Sequence, residues 1–307
     1  MTERNKTLTK VRFITALLAA LLSVTTQALT VTDDRGVEHT LEKPVSRIVS
    51  LMPHGTELLF EVGAGDLVVG AVDYSDYPQA AKKIPRVGGY SGLNLEAIMA
   101  LQPDIVLAWP EGNNQRELDR LKQLGFQLFA SDPRDFAAIA DNLERLGKLT
   151  GNDEQGLRAA QAFRAKTQQL AEQYQHQQDL TVFYQVWNKP LLSQNGSTFI
   201  SRAIELCGGH NIFADLPMAA PQVSIEAVLA ANPQVIVASG MGESRPEWLD
   251  DWRGYARLSA VQTNSLYHIH PQLFHRPTSR FLIGTEQLCQ QMASTRQRMQ
   301  GAAKPAE

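Results

Sequence analysis

Short apolar runs alternate with helix-length stretches along most of this chain. "RIVSL" (47–51), "LVVGAV" (67–72), "DIVLAW" (104–109) and "QLFAS" (127–131) read as buried strands. Between them, "GTELLFEVG" (55–63), "NLEAIMALQ" (94–102) and "NQRELDRLKQLG" (114–125) read as helices. Strands alternating with helices of this length predict a parallel α/β sheet. Ahead of them, "VTDDRGVEHTL" (31–41) alternates about Asp34-Arg35-Gly36 and predicts a β-hairpin.

Midway, 135–151 predicts a helix. The stretch 152–178 lacks Pro and is rich in Ala, Gln, Arg and Glu, which predicts one long helix rather than a flexible linker. The alternation then resumes with a strand at 180–187, a helix at 199–209 closed by Gly208-Gly209, a strand at 265–270 and a last helix at 279–300. The expected division is an N-terminal lobe (29–147), a linking helix (148–178), a C-terminal lobe (179–300) and a flexible tail (301–307).

One unit occurs twice. "LEAIMALQPDIVLAW" (95–109) returns as "IEAVLAANPQVIVAS" (225–239), with Glu96 aligned to Glu226 and Pro103 to Pro233. Each copy is a helix, a Pro-containing turn and a strand. Two similar α/β lobes joined by a helix leave a cleft between them, and such junctions are common ligand sites.

The N-terminus is a different kind of segment. Arg4, Lys6, Lys10 and Arg12 precede the apolar run "FITALLAALLSV" (13–24), the pattern of a cleaved secretory signal ending near Ala28. Removing residues 1–28 takes away four basic residues and one acidic one, leaving 25 Lys and Arg against 31 Asp and Glu, a net charge of −6. That balance, with no basic stripe, argues against a nucleic-acid partner. The two cysteines, Cys207 and Cys289, point to a disulfide in an exported chain, with two buried free thiols as the other reading.

Catalytic motifs are scarce. No phosphate-binding loop, GxGxxG or HExxH is present, and "GGYSG" (88–92) has the wrong spacing for a nucleophile elbow. His268 and His270 share a strand face, which suits a metal, although a partly exposed strand face explains them as well. No metal site is expected. The aromatics are more suggestive. Tyr74, Trp109 and Trp187 stand at or just past strand ends, where an open α/β sheet faces its ligand; Tyr90 and Phe274 lie in nearby loops. Rings so placed would hold a flat amphipathic ligand, or each would cap its own lobe's core.

The "VTDDRG" hairpin, "PHGTELLFEVGAGDLVVG", "DYSDYP" and the two repeat copies resemble the helical-backbone class of periplasmic substrate-binding proteins. These serve ATP-binding cassette importers of siderophores, haem and cobalamin. "YSDYP", "GLNLE", "PDIVLAW" and "CGGHNIF" bring the resemblance closest to the cobalamin-binding (vitamin B12) members. It implies two Rossmann-like α/β lobes with parallel sheets, a single long backbone helix and a cleft between the lobes. It further implies a periplasmic carrier, not an enzyme, with cobalamin as transported ligand and no catalytic cofactor. The implied ligand contacts are Tyr74, Tyr90, Trp109, Trp187, Phe274 and Arg276. Glu96 and Glu226 would dock a two-fold inner-membrane permease that works with ATPase subunits, Cys207 and Cys289 would pair, and the free protein would be monomeric. Two positions depart from the family: Ala220 stands where it has Trp, and Gln272 where it has a ligand-bonding Asp. The alternatives are a haem or ferric-siderophore carrier of the same fold, or a metal-dependent enzyme using His268, His270 and His275.

Overall fold

The computed structural model describes residues 28–302 except Met241 and Glu243. The expected signal segment, Ala28 apart, lies outside the described residues, as do residues 303–307 of the expected tail. The last helix continues through Ala302, into that tail.

The chain opens with the predicted hairpin, β1 (Leu29–Thr32) paired antiparallel with β2 (Glu38–Leu41). Its turn is built by Asp33, whose carboxylate accepts from the N–H groups of Arg35 and Val37 at 2.9 Å each, and by Gly36 at φ 76°. The first lobe then runs β3 (Ile48–Ser50), α1 (Pro53–Glu61), β4 (Val68–Ala71), the two-residue strands β5 (Gly88–Gly89) and β6 (Gly92–Leu93), α2 (Leu95–Leu101), β7 (Ile105–Ala108), α3 (Gln115–Gln123), β8 (Leu128–Ala130) and α4 (Phe136–Thr150). Gly151, at φ 75°, ends α4, and α5 (Asp153–Tyr174) starts at once. The stretch 148–178 therefore holds the end of α4, all of α5 and the residues that trail it. In the second lobe come β9 (Leu180–Gln185), β10 (Trp187–Asn188), β11 (Leu191–Leu192), α6 (Phe199–Leu206), β12 (Gly209–Asn211), α7 (Ile225–Ala231), β13 (Val235–Ala238), α8 (Ser259–Gln262), β14 (Leu266–His268), α9 (Pro271–Phe274) and α10 (Phe281–Ala302).

Each lobe centres on a four-stranded parallel sheet, ordered β4-β3-β7-β8 in the first and β12-β9-β13-β14 in the second. Both orders place the second strand outside the first and the third on its other side, so the two lobes share one topology. Gly208-Gly209 was expected only to close a helix; Gly209 instead begins the edge strand β12, too short to show an alternating pattern.

The repeated unit is reproduced in detail. Asn94 and Ser224 cap α2 and α7 by accepting from the N–H of Ala97 and Ala227. Gln102 and Asn232 end the helices in left-handed geometry, at φ 45° and 44°.

Strand residues alternate between two layers. Ile105 and Leu107, with Val235 and Val237, face a core shared by both lobes. Val106 and Ala108 face a separate cluster under α2 and α3, while Ile236 and Ala238 face another in the second lobe. Phe163, Leu170 and Tyr174 of α5 lie in the shared core. Gly147 and Gly156 let α4 and α5 approach closely: a Cβ on Gly147 would lie 2.8 Å from the Gly156 Cα.

Cys207 and Cys289 form the disulfide, with Cα atoms 4.7 Å apart, tying the end of α6 to α10. Closing a loop of 82 residues contributes ~4–5 kcal/mol on the chain-entropy estimate. No helix among the described residues is long and apolar enough to cross a membrane.

Candidate functional site

The carboxyl ends of the parallel strands carry the chemistry. Past β4 the chain reaches Tyr74, whose φ of 63° is unusual for a bulky residue. Its carbonyl accepts from Arg276 Nη2 at 2.9 Å, while its side chain is 75% exposed. Trp109 follows β7. Its indole N–H donates to Asp132 Oδ1 at 2.9 Å, and the His54 ring meets it edge-on at 5.4 Å. Trp187 begins β10, half-exposed, with its indole N–H donated to the Lys189 carbonyl at 3.1 Å. Both indole N–H groups are thus occupied within the protein. Tyr90, at the β5–β6 tip, is fully exposed and makes no side-chain contact among the described residues.

One of the expected contacts is placed differently from expectation. Phe274 is fully buried. It stacks on Phe281 at 5.3 Å and packs against Tyr184 at 5.8 Å, in an aromatic cluster that Phe136 of α4 joins through Phe281. It presents no surface to a ligand, because its position at the end of α9 turns it into the shared core. Arg276 is engaged across the lobe boundary. Its Nη1 donates to Glu57 Oε1 at 2.7 Å and to Asp76 Oδ1 at 2.8 Å. Around it, Gln272 Nε2 donates to Asp76 at 3.2 Å, Thr278 to Glu57 at 3.2 Å, and Ser279 to Glu61. Arg280 also pairs with Glu57, and its guanidinium lies 3.9 Å from the Tyr77 ring centroid. A cavity of about 420 Å³ opens here, lined by Glu57, Glu61, Tyr77, Arg280 and Ile283 among others. Tyr74, Tyr90, Trp109 and Trp187 are not among its lining residues, and Glu57 and Arg280 place it at the lobe junction.

Burial governs His54, His275 and Tyr184. His54 is pushed down to about 4 by burial. His275, whose ring nitrogen bonds the Tyr184 hydroxyl at 2.7 Å, is likewise pushed down to about 4. The Tyr184 hydroxyl is pushed up by burial. His275 therefore serves the core, and no group of three or more His, Cys, Asp or Glu among the described residues is arranged to hold a metal.

The Glu57–Arg276 junction, Asp76, His54 and Asp132 were not anticipated. A signal was available for the first: Glu57 and Glu61 sit four apart in the otherwise apolar "GTELLFEVG", opposite the basic "HRPTSR".

Glu96 and Glu226 are both exposed, at the second position of α2 and α7, with no ion pair or side-chain hydrogen bond among the described residues.

Residues 48–273 match the periplasmic binding protein family. The chain belongs to that family. As a periplasmic binding protein it is 42% identical over 246 residues to the vitamin B12-binding protein of Vibrio cholerae serotype O1, spanning 80% of this chain and 88% of the relative. It is 40% identical over 248 residues to the vitamin B12-binding protein of Yersinia pestis, spanning 81% and 86%. The crystal structure of the periplasmic vitamin B12 binding protein BtuF of Vibrio cholerae matches with a TM-score of 0.76 at 40% identity, over 82% of this chain and 98% of that one. The periplasmic heme-binding protein RhuT from Roseiflexus, 22% identical with a TM-score of 0.70, shares the binding-protein fold.

Proposed function

We propose that this periplasmic binding protein captures cobalamin between its lobes and delivers it to an inner-membrane ATP-binding cassette importer. The carrying observation is that Arg276 is committed to Glu57 and Asp76. Haem brings carboxylates, and many ferric siderophores are anionic; either would want a spare cation. A corrin ring edged with neutral amides does not. Its plane suits the π faces of Trp109 and Trp187, and its amides suit the hydroxyls of Tyr74 and Tyr90. Vitamin B12-binding relatives at 40–42% identity support the same ligand.

Cobalamin enters this reading as cargo, not as a cofactor, and no catalytic group is required. The lobes are taken as 29–147 and 179–300 and the link as 148–178. A core shared through α5 favours small lobe movements. Glu96 and Glu226, matched on twin helices, would register the free monomer on a two-fold permease by charge complementarity. The basic-then-apolar N-terminal segment supports export to the periplasm.

Gel filtration with cyanocobalamin tests the proposal. The red colour is expected to elute with the protein; colour eluting only at the free-ligand volume would reject it.

A further inference from the structure

We propose that the N-terminal hairpin and Asp132 are positioning elements for the Trp109 platform, an inference that rests on the ligand-stacking role given to Trp109 above. The hairpin motif "VTDDRG" pairs with no strand of the first sheet, yet its two acidic side chains reach the end of β8. Asp33 Oδ2 accepts from the Ala130 N–H at 3.0 Å, and the Asp34 N–H donates to the Ala130 carbonyl at 3.1 Å. Asp34 Oδ2 accepts from the Asp132 N–H at 2.7 Å. Asp34 is itself held by Asn142 Nδ2 at 2.8 Å and by the Arg145 guanidinium. The hairpin thus fixes the backbone of Asp132.

The Asp132 carboxylate divides its oxygens. Oδ2 accepts from Arg134 at 3.1 and 3.3 Å, leaving Oδ1 for the Trp109 indole at 2.9 Å. Two further features hold the ring and its backbone. Gly112 lies so close that a Cβ there would come 2.0 Å from Trp109 Cε3. The Trp109 backbone N–H donates to Asn113 Oδ1 at 2.7 Å, and Asn113 Nδ2 donates to the Leu51 carbonyl at 2.8 Å. A large ring held on several sides before a ligand arrives loses little freedom on binding, which is where preorganisation acts. The relay runs from Asp34 through the Asp132 backbone and carboxylate to the indole N–H.

Asp132→Ala and Asp132→Asn test the relay, because the amide oxygen of Asn can still accept from the indole. The probe is cyanocobalamin, read by calorimetry. The second readout is the Trp109 indole N–H resonance in a ¹⁵N–¹H spectrum of the ligand-free protein, assigned with Trp109→Phe. Asp132→Ala is expected to bind about tenfold more weakly and to shift or broaden that resonance, with thermal unfolding showing an intact fold. Asp132→Asn is expected to stay within about threefold of the unsubstituted protein. The inference is overturned if Asp132→Ala leaves both affinity and resonance unchanged, or if Asp132→Asn loses as much affinity as Asp132→Ala, since charge rather than the hydrogen bond would then carry the effect. Failure of the unsubstituted protein to bind cyanocobalamin would instead reject the ligand reading, while the resonance would still report whether Asp132 holds the indole.

Discussion

Arg276 of the second lobe donates to the buried carboxylate of Glu57 in the first at 2.7 Å, and that contact lies at the centre of the lobe junction. The charges offset each other only as a set: Asp76 shares Arg276, and Arg280 shares Glu57.

Removing Glu57 leaves two guanidiniums and the Thr278 hydroxyl without their buried acceptor. Glu57→Ala is expected to lower unfolding stability by about 3 kcal/mol. Asp76→Ala, at a more exposed partner, is expected to cost about 1 kcal/mol or less. Urea unfolding of both variants checks the order. Equal stability of Glu57→Ala and the unsubstituted protein would show that the junction contributes nothing.

Two histidines whose pKa values are lowered by burial make stability depend on pH. Burial holds His54 and His275 at about 4, against an ordinary value of 6.5. Between those values the unfolded chain binds more protons, so this contribution is complete above pH 6.5 and declines as pH falls toward 4. Each group contributes up to about 3 kcal/mol. The unfolding midpoint should drop over that window, and NMR titration should find both rings neutral at pH 5.5. Either ring titrating near 6.5 would contradict the buried-neutral assignment.

Docking and ligand capture should separate. The double variant Glu96→Lys, Glu226→Lys is expected to keep the unsubstituted affinity for cobalamin, because both side chains are exposed and unpaired among the described residues. Transport into vesicles carrying the cognate importer should fall at least about tenfold, because reversed charges would oppose the charge complementarity that the proposed docking requires. Unchanged transport would remove both residues from the docking surface.

Periodicity made much of the fold legible. The alternation in β7 and β13 and the doubled helix-Pro-strand text predicted paired lobes because local pattern and packing agree there. Trp109 and Tyr74 were singled out as candidates by their place after a strand, a backbone rule that needs no side-chain detail. Phe274 was misplaced for a complementary reason: a residue one turn past a strand can face the cleft or the core, and only the Phe281 cluster settles which. The Glu57–Arg276 pair joins residues 219 apart, and that partnership depends on how the lobes meet. Asp132 is hidden similarly, since its role depends on the hairpin docking about a hundred residues before it.

Calorimetric titration with cyanocobalamin, haem and a ferric siderophore under identical conditions tests the central claim most directly. Saturable binding of cyanocobalamin at one site per chain is expected, tighter than either competitor by at least about tenfold, because Arg276 is not free to meet an anionic ligand. No heat with cyanocobalamin, or tighter binding of haem or the siderophore, would contradict it.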